Sequence, residues 1–251
     1  MNKKQRQQAI IEYLGAMSEA SIVELVRLTE SSIATIRRDL LEMHEAGKLI
    51  RTPGGACNIV HQQSLVQRTF DQRRSHNAEA KLAIAAAAKR LVLPNMTIAI
   101  DSGTTCWQLA CLLTDIKPLR VITNAVAVIE ALGDCPDIEL IVVGGVFRQS
   151  NLDFTGAQTA MTMRKFAVDM AFLGCDGFLP GKGIYTDDMQ SHAIGQVIAA
   201  NAAQRVVLFD QQKLGQRHCC QILADDEIDC IITDAKIELP TASKCRYIQA
   251  L

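Results

Sequence analysis

The chain has 251 residues, 49% of them apolar and 21% charged, and carries a net charge of −1. That is enough apolar material for one large domain, or for a small one followed by a medium one. The balanced charge excludes binding of nucleic acid through total charge alone. No apolar run is long enough for a membrane span, and the start "MNKKQRQQAIIEYL" lacks a signal-peptide core, so a cytoplasmic protein is expected.

Residues 1–56 read as three helices and a short hairpin. Ile10, Ile11 and Leu14 share one side of the first helix. Ser21 stands three residues before Glu24, the capping-box spacing, at the start of "IVELVRLTE". Ser31 or Ser32 caps a third helix whose Ile33, Ile36, Leu40 and Met43 converge on one side. Gly47 suits the position just past its end, and "KLIRTPGGAC" has the Pro-Gly-Gly turn of a small wing.

In the third helix Arg37 and Arg38 are adjacent, about 100° apart around the axis. Arg38 lies on the outward face behind the short side chains of Ala34 and Thr35, while Arg37 lies nearer the core boundary. Such a face fits a major groove, where an arginine reads guanine with two hydrogen bonds. The plainer reading pairs these arginines with Asp39 and Glu42 on a solvated helix.

The stretch from Arg6 to Ala56, with "SSIATIRRDLLEMHEAGKLIRTPGGA", resembles the winged helix-turn-helix of the DeoR family of bacterial repressors. That family reads S-x-x-T-I-R-R-D-L at its recognition helix and R-x-x-G-G at its wing, and both patterns are present here. The resemblance implies contact with double-stranded operator DNA by Thr35, Arg37 and Arg38, with Lys48 and Arg51 as weaker contacts; the helix start at Ser31 or Ser32 adds backbone donors suited to a phosphate.

Residues 57–80 read as a polar linker. Residues 61–90 hold an excess of four positive charges, so the basic residues are concentrated early in the chain. From residue 81 to 251 the pattern becomes α/β. "MTIAIDSGTT", "LRVITNA", "IELIVVGGVF", "DMAFLGCDG", "RVVLFDQQK" and "IDCIITDA" are Val/Ile/Leu runs that end on polar or glycine residues, as buried parallel strands do. Asp101, Ser102, Gly103, Thr104 and Thr105 form a strand-to-helix turn suited to a phosphate. Thr123, Asn124, Gly145, Asp176 and Lys213 follow other strands, at the edge where open α/β sheets bind ligands.

The motifs "DSGTT", "VITNA", "VVGGVFR", "FLGCDG" and "VVLFDQQKLG" resemble the effector domain of the same family, which is related in fold to ribose-5-phosphate isomerase. The resemblance implies phosphate binding by Ser102, Gly103, Thr104, Thr105 and Lys213, with Asp101 and Asp176 nearer the sugar. Two departures stand out. Ala193 and Gly195 replace a family Glu-x-Lys, and "DQQKLG" lacks the hydroxyl that precedes the lysine.

The five histidines form no metal-binding pair, and the nine cysteines are scattered without a C-x-x-C, as expected of reduced thiols. No metal, cofactor or catalytic residue is expected. The expected function is a repressor of a carbohydrate-catabolism operon, a homo-oligomer (dimer or tetramer) whose DNA binding responds to a phosphorylated sugar. The alternative is a sugar-phosphate isomerase-like enzyme fused to a DNA-binding module. "CDGFLP" keeps Asp176 and Gly177 but has no following acid pair to act as general base.

Overall fold

The structure, a computed structural model, describes residues 2–17, 19–46, 48–52, 54–57, 69–238 and 243–250. The chain divides into two compact units, Met1–Arg68 and Thr69–Leu251.

In the first unit, helix α1 (Lys3–Met17) is followed by strand β1 (Glu19–Ser21), α2 (Ile22–Thr29), α3 (Ile33–Glu45), β2 (Ile50–Thr52) and β3 (Gly55–Cys57). The expected capping box forms at α2: Ser21 Oγ accepts from Glu24 N–H, and Glu24 accepts from Ser21 N–H. Ser32, not Ser31, caps α3 by accepting from Thr35 N–H at 3.2 Å. The position expected to end α3, Gly47, lies outside the described residues. Ile10, Leu14, Leu25, Ile36, Leu40 and Met43 form the core. Ile33, the first residue of α3, does not join them and is half exposed.

The wing has three strands, because β1 pairs antiparallel with β3 on the side opposite β2. A Cβ on Gly55 would stand 2.0 Å from the Ala20 carbonyl oxygen, so only glycine admits this approach.

The second unit opens with α4 (Phe70–Ser75) and α5 (Ala78–Lys89). A seven-stranded parallel sheet follows, built from β4 (Thr97–Ile100), β5 (Leu119–Thr123), β6 (Ile138–Val142), β9 (Val168–Leu173), β12 (Ala202–Leu208), β14 (Cys230–Thr233) and β15 (Arg246–Gln249). Helices α6 (Thr104–Leu112), α7 (Val126–Leu132), α8 (Ala157–Met163) and α9 (Met189–Ala200) connect strands. Two antiparallel additions are a hairpin, β7 (Val146–Arg148) with β8 (Asp153–Thr155), and a small sheet of β10 (Gly177–Leu179), β11 (Gly183–Thr186) and β13 (Cys220–Ala224).

The alternation of a strand explains why both faces are covered. Ile98, Ile100, Val121, Met170, Phe172, Val206 and Leu208 enter one apolar cluster. Their in-between neighbours Ala99, Ile122, Ala171, Leu173 and Val207 enter another. The strand order is β15-β14-β12-β9-β4-β5-β6. The chain therefore runs from β4 to one edge, returns to β9 beside β4, and continues to the other edge. The switch between β4 and β9 opens a crevice at the strands' carboxyl ends.

The linker expected over 57–80 is corrected at its C-terminal end. Residues 58–68 lie outside the described residues, but 70–75 and 78–80 are helical and belong to the second unit. Phe70 is buried against the Trp107 ring, centroids 6.1 Å apart, and Lys81 is buried as well. A six-residue helix anchored by one aromatic leaves little hydrophobic periodicity to read.

Candidate functional site

Helix α3 presents Arg37 and Arg38 to solvent. The carboxylates close enough in sequence to neutralise them are engaged by α1. Asp39, buried, is paired with Arg6, and Glu42 accepts from Lys3 at 2.5 Å. Neither Arg37 nor Arg38 has an ion-pair partner among the described residues. The plainer reading of the sequence is thereby corrected: Asp39 holds α3 against α1, and both guanidiniums stay free for an external anion. Thr35 is half-buried and shares a hydrogen bond with Ser32, Oγ to Oγ1 at 2.8 Å. Lys48 and Arg51 are exposed, Arg51 lying opposite buried Ala56 in the β2–β3 register.

In the second unit, Asp101 ends β4 and the 174–176 turn ends β9, one on each side of the switch. Asp101 accepts from Ser102 N–H at 2.7 Å and from Gly174 N–H at 3.3 Å, which ties the two turns together. Burial pushes Asp101 up to about 7, against the pull of those two N–H groups. Ser102 Oγ donates to Asp153 at 2.8 Å, and no side chain caps α6, so its first-turn N–H groups face the turn at 102–105. Thr104 and Thr105 are buried there. Gly103 has φ 175°, extended backbone, and a Cβ at this position would meet nothing within 4 Å, so open space rather than strain distinguishes it.

Asp176 accepts from Thr186 Oγ1 at 2.6 Å, and Lys213 Nζ stands 3.9 Å from its carboxylate. Asp101, Ser102 and Asp176 with Lys213 thus sit on adjoining turns of one crevice. Three other sequence candidates have local duties. Thr123 Oγ1 donates to the Ile100 carbonyl at 2.8 Å and is fully buried. Asn124 Nδ2 donates to the Phe154 carbonyl, although its Oδ1 has no partner among the described residues. Gly145, just before β7, lies tight against the end of β8 and α8: a Cβ there would stand 2.0 Å from Thr159 Oγ1 and 2.7 Å from the Thr155 carbonyl oxygen.

The sequence reading missed four charged residues of the crevice. Arg148 donates to both oxygens of Asp153, at 2.8 and 2.6 Å, to Asp188, and to Ser191 Oγ at 3.0 Å. Burial opposes its charge, but Asp153 and Asp188 hold its pKa raised. Asp188 also caps α9 through the Gln190 and Ser191 N–H groups. The fourth is Arg73 of α4, whose burial lowers its pKa while Asp176 and Asp153 oppose that. Arg148 stood inside the quoted motif "VVGGVFR"; Arg73 stood in the stretch read as linker.

The two departures from the family pattern have visible partners. Gly195 packs against Ile222, whose Cγ2 lies 3.0 Å from where a Cβ would be, so α9 approaches β13 closely. Ala193 is exposed. Gln212, at the position lacking a hydroxyl, accepts from His76 Nε2 at 2.7 Å.

Among the described residues no group of three or more His, Cys, Asp or Glu could hold a metal ion, and no helix is long and apolar enough to cross a membrane. The family model described as DeoR-like helix-turn-helix domain matches residues 6–63, and that described as DeoR C terminal sensor domain matches residues 76–235. The chain is 30% identical to the HTH-type transcriptional regulator GolR of Listeria innocua, over 93% of this chain and 91% of that one. It is 31% identical to the lactose phosphotransferase system repressor of Lactococcus lactis, over 94% and 93%. Among solved structures it is similar to ribose 5-phosphate isomerase A of Methanocaldococcus jannaschii, at 20% identity and TM-score 0.41 over 55% of each chain.

Proposed function

Because the chain belongs to the DeoR family of DNA-binding transcriptional regulators, we propose that it is a cytoplasmic repressor of a carbohydrate-catabolism operon, controlled by a phosphorylated sugar. One observation carries the DNA-reading half of this reading. Arg37 and Arg38 are exposed and unneutralised on α3 because Asp39 and Glu42 are taken by α1. In the major groove Arg38 reads a guanine edge, Arg37 and the Ser32-capped helix start hold phosphate, and Lys48 and Arg51 hold the flanking backbone.

The effector reading rests on the crevice between β4 and β9. Hydroxyl and N–H donors at 102–105 and the Lys213 ammonium suit a phosphate, while Asp101 and Asp176 suit sugar hydroxyls. Arg148 is more than neutralised by Asp153 and Asp188, so Lys213 is the cation this reading offers to an anion. The chemistry is read as binding rather than catalysis, since no acid pair follows Asp176 and Gly177 in "CDGFLP" to act as general base. A homo-oligomer sets two first units on paired half-sites a whole number of helical turns apart. The effector shifts DNA affinity by its preference for one arrangement, typically about 1–3 kcal/mol.

Selection of genomic fragments by the purified full chain tests this reading. A few promoter sites are expected to be enriched, lost with Arg38→Ala, and altered by one sugar phosphate of a panel. Absence of specific enrichment at low salt would sink the DNA assignment.

A further inference from the structure

Helix α4 and the turn after it are fastened at both ends across the carboxyl edge of the parallel sheet. On one side Phe70 N–H donates to the Ser150 carbonyl at 2.8 Å and Arg73 Nη2 donates to Asn151 Oδ1 at 3.2 Å, both in the β7–β8 turn. On the other, His76 meets Gln212 at 2.7 Å and Asn77 Nδ2 donates to Asp210 at 3.2 Å, both in the turn after β12. Lys81 Nζ donates to the carbonyls of Arg73 and His76, closing the loop between α4 and α5. Residues 70–77 therefore form a strap beside the β4–β9 switch.

Arg73 is the charge that this strap carries inward. It feels Asp176, Asp153, Asp188 and Arg148, all groups of the crevice. None of these carboxylates makes an ion pair with Arg73: Asp153 and Asp188 are held by Arg148, and Asp176 accepts from Thr186 with Lys213 3.9 Å away. A guanidinium has five donors, and Nε of Arg73 is enclosed with no acceptor among the described residues. An enclosed donor of a charged group without an acceptor is costly, and an anion held at Nη1, which has no partner among the described residues, offsets the cost of the buried charge. Arg148 offers less such capacity, since four of its five N–H groups already donate to protein oxygens.

We propose that Arg73 is a ligand for the phosphate group of the effector, acting with the 102–105 turn, and that the strap at 70–77 tightens when the crevice is filled. This rests on the sugar-phosphate reading above and names a residue that reading did not contain. The strap is also the part of the second unit that follows the DNA-binding unit most closely in sequence.

The chain carries its own reporter. Trp107, the single tryptophan, meets the Phe70 ring edge-on and lies 5.4 Å from the Arg74 guanidinium, both on α4. Trp107 emission of the full chain is titrated with inorganic phosphate at constant ionic strength, for the natural sequence, Arg73→Gln, Arg73→Lys and Lys213→Gln. A saturable response is expected in the natural sequence. Its midpoint rises roughly tenfold in Arg73→Gln, the scale of a lost charge-assisted pair, and less in Arg73→Lys, which keeps the charge but not the planar fork. Amide exchange over 70–77 slows with phosphate in the natural chain. An unchanged midpoint in Arg73→Gln, with Lys213→Gln weakened, would overturn the role of Arg73 and leave the sugar-phosphate reading standing. Absence of any saturable phosphate binding by the natural chain, by emission and by calorimetry, would overturn both. Should Arg73→Gln lose its fold by circular dichroism, an unchanged midpoint in Arg73→Lys overturns the proposal.

Discussion

At the scale of single residues, adjacent arginines have separate duties because a helix turns about 100° between them. Arg38→Ala is expected to cost about 1–3 kcal/mol of discrimination at one base pair and to relax sequence preference there. Arg51→Ala is expected to weaken all DNA alike and to lower the salt slope by about one. Competition binding over a series of salt concentrations and single-base operator variants separates the two; equal loss on specific and random DNA for Arg38→Ala would contradict its assignment. Asp101 makes a pH prediction. Its folded-state pKa of about 7 stands above the ordinary 3.8, so the native state holds this proton more tightly than the unfolded chain. The residue's contribution to stability is therefore full at acid pH, declines as pH rises between those values, and is constant above them. Asp101→Asn is expected to flatten that part of the Tm-against-pH profile and to raise Tm at alkaline pH. A parallel profile in the variant would show that Asp101 ionises normally.

At the scale of elements, α3 is aimed by what lies behind it. The buried Asp39 joins it to Arg6 of α1, and Gly55 lets β3 close on β1. Asp39→Ala leaves the Arg6 charge without its partner and is expected to cost the first unit about 3 kcal/mol, read by denaturant unfolding. Gly55→Val is expected to disrupt the wing outright, whereas Gly54→Ala, with nothing within 4 Å of the added carbon, is expected to be mild. These elements show what the sequence discloses and what it hides. Six strands of the parallel sheet were legible as apolar runs ending in turns, because a strand buried on both faces has no polar positions to interrupt it. The cap of α2 was legible from Ser21 and Glu24 alone. The antiparallel strands β7, β8, β10 and β11 were not, since three or four residues carry too little alternation, and β15 follows a polar stretch that gave no periodic signal. Arg73 and Arg148 were missed for a related reason. Their roles come from contacts 78 and 40 residues away in sequence, Asn151 and Asp188 respectively, which no local spacing reveals.

At the scale of the whole molecule, the two units have separate apolar cores, one of Ile10, Leu14, Leu25, Ile36, Leu40 and Met43, the others on the two faces of the parallel sheet. Two calorimetric transitions are expected, and phosphate esters that bind the crevice are expected to raise only the second. At a ligand concentration about one hundred times Kd the gain is about 2.7 kcal/mol. A single transition that shifts as a whole would instead mean that the units unfold together. Control of DNA by sugar requires more than two competent units, because a ligand shifts an equilibrium only by its differential affinity for the two states. The most direct measurement is the affinity of the full chain for its selected operator, titrated with a panel of sugar phosphates and repeated with Lys213→Gln. One ester is expected to change the operator Kd by about 5–150-fold, with the change abolished in the variant while its DNA binding without ester is retained. An operator Kd unmoved by every ester, in a chain that binds its operator normally, would contradict effector control of the DNA-reading unit.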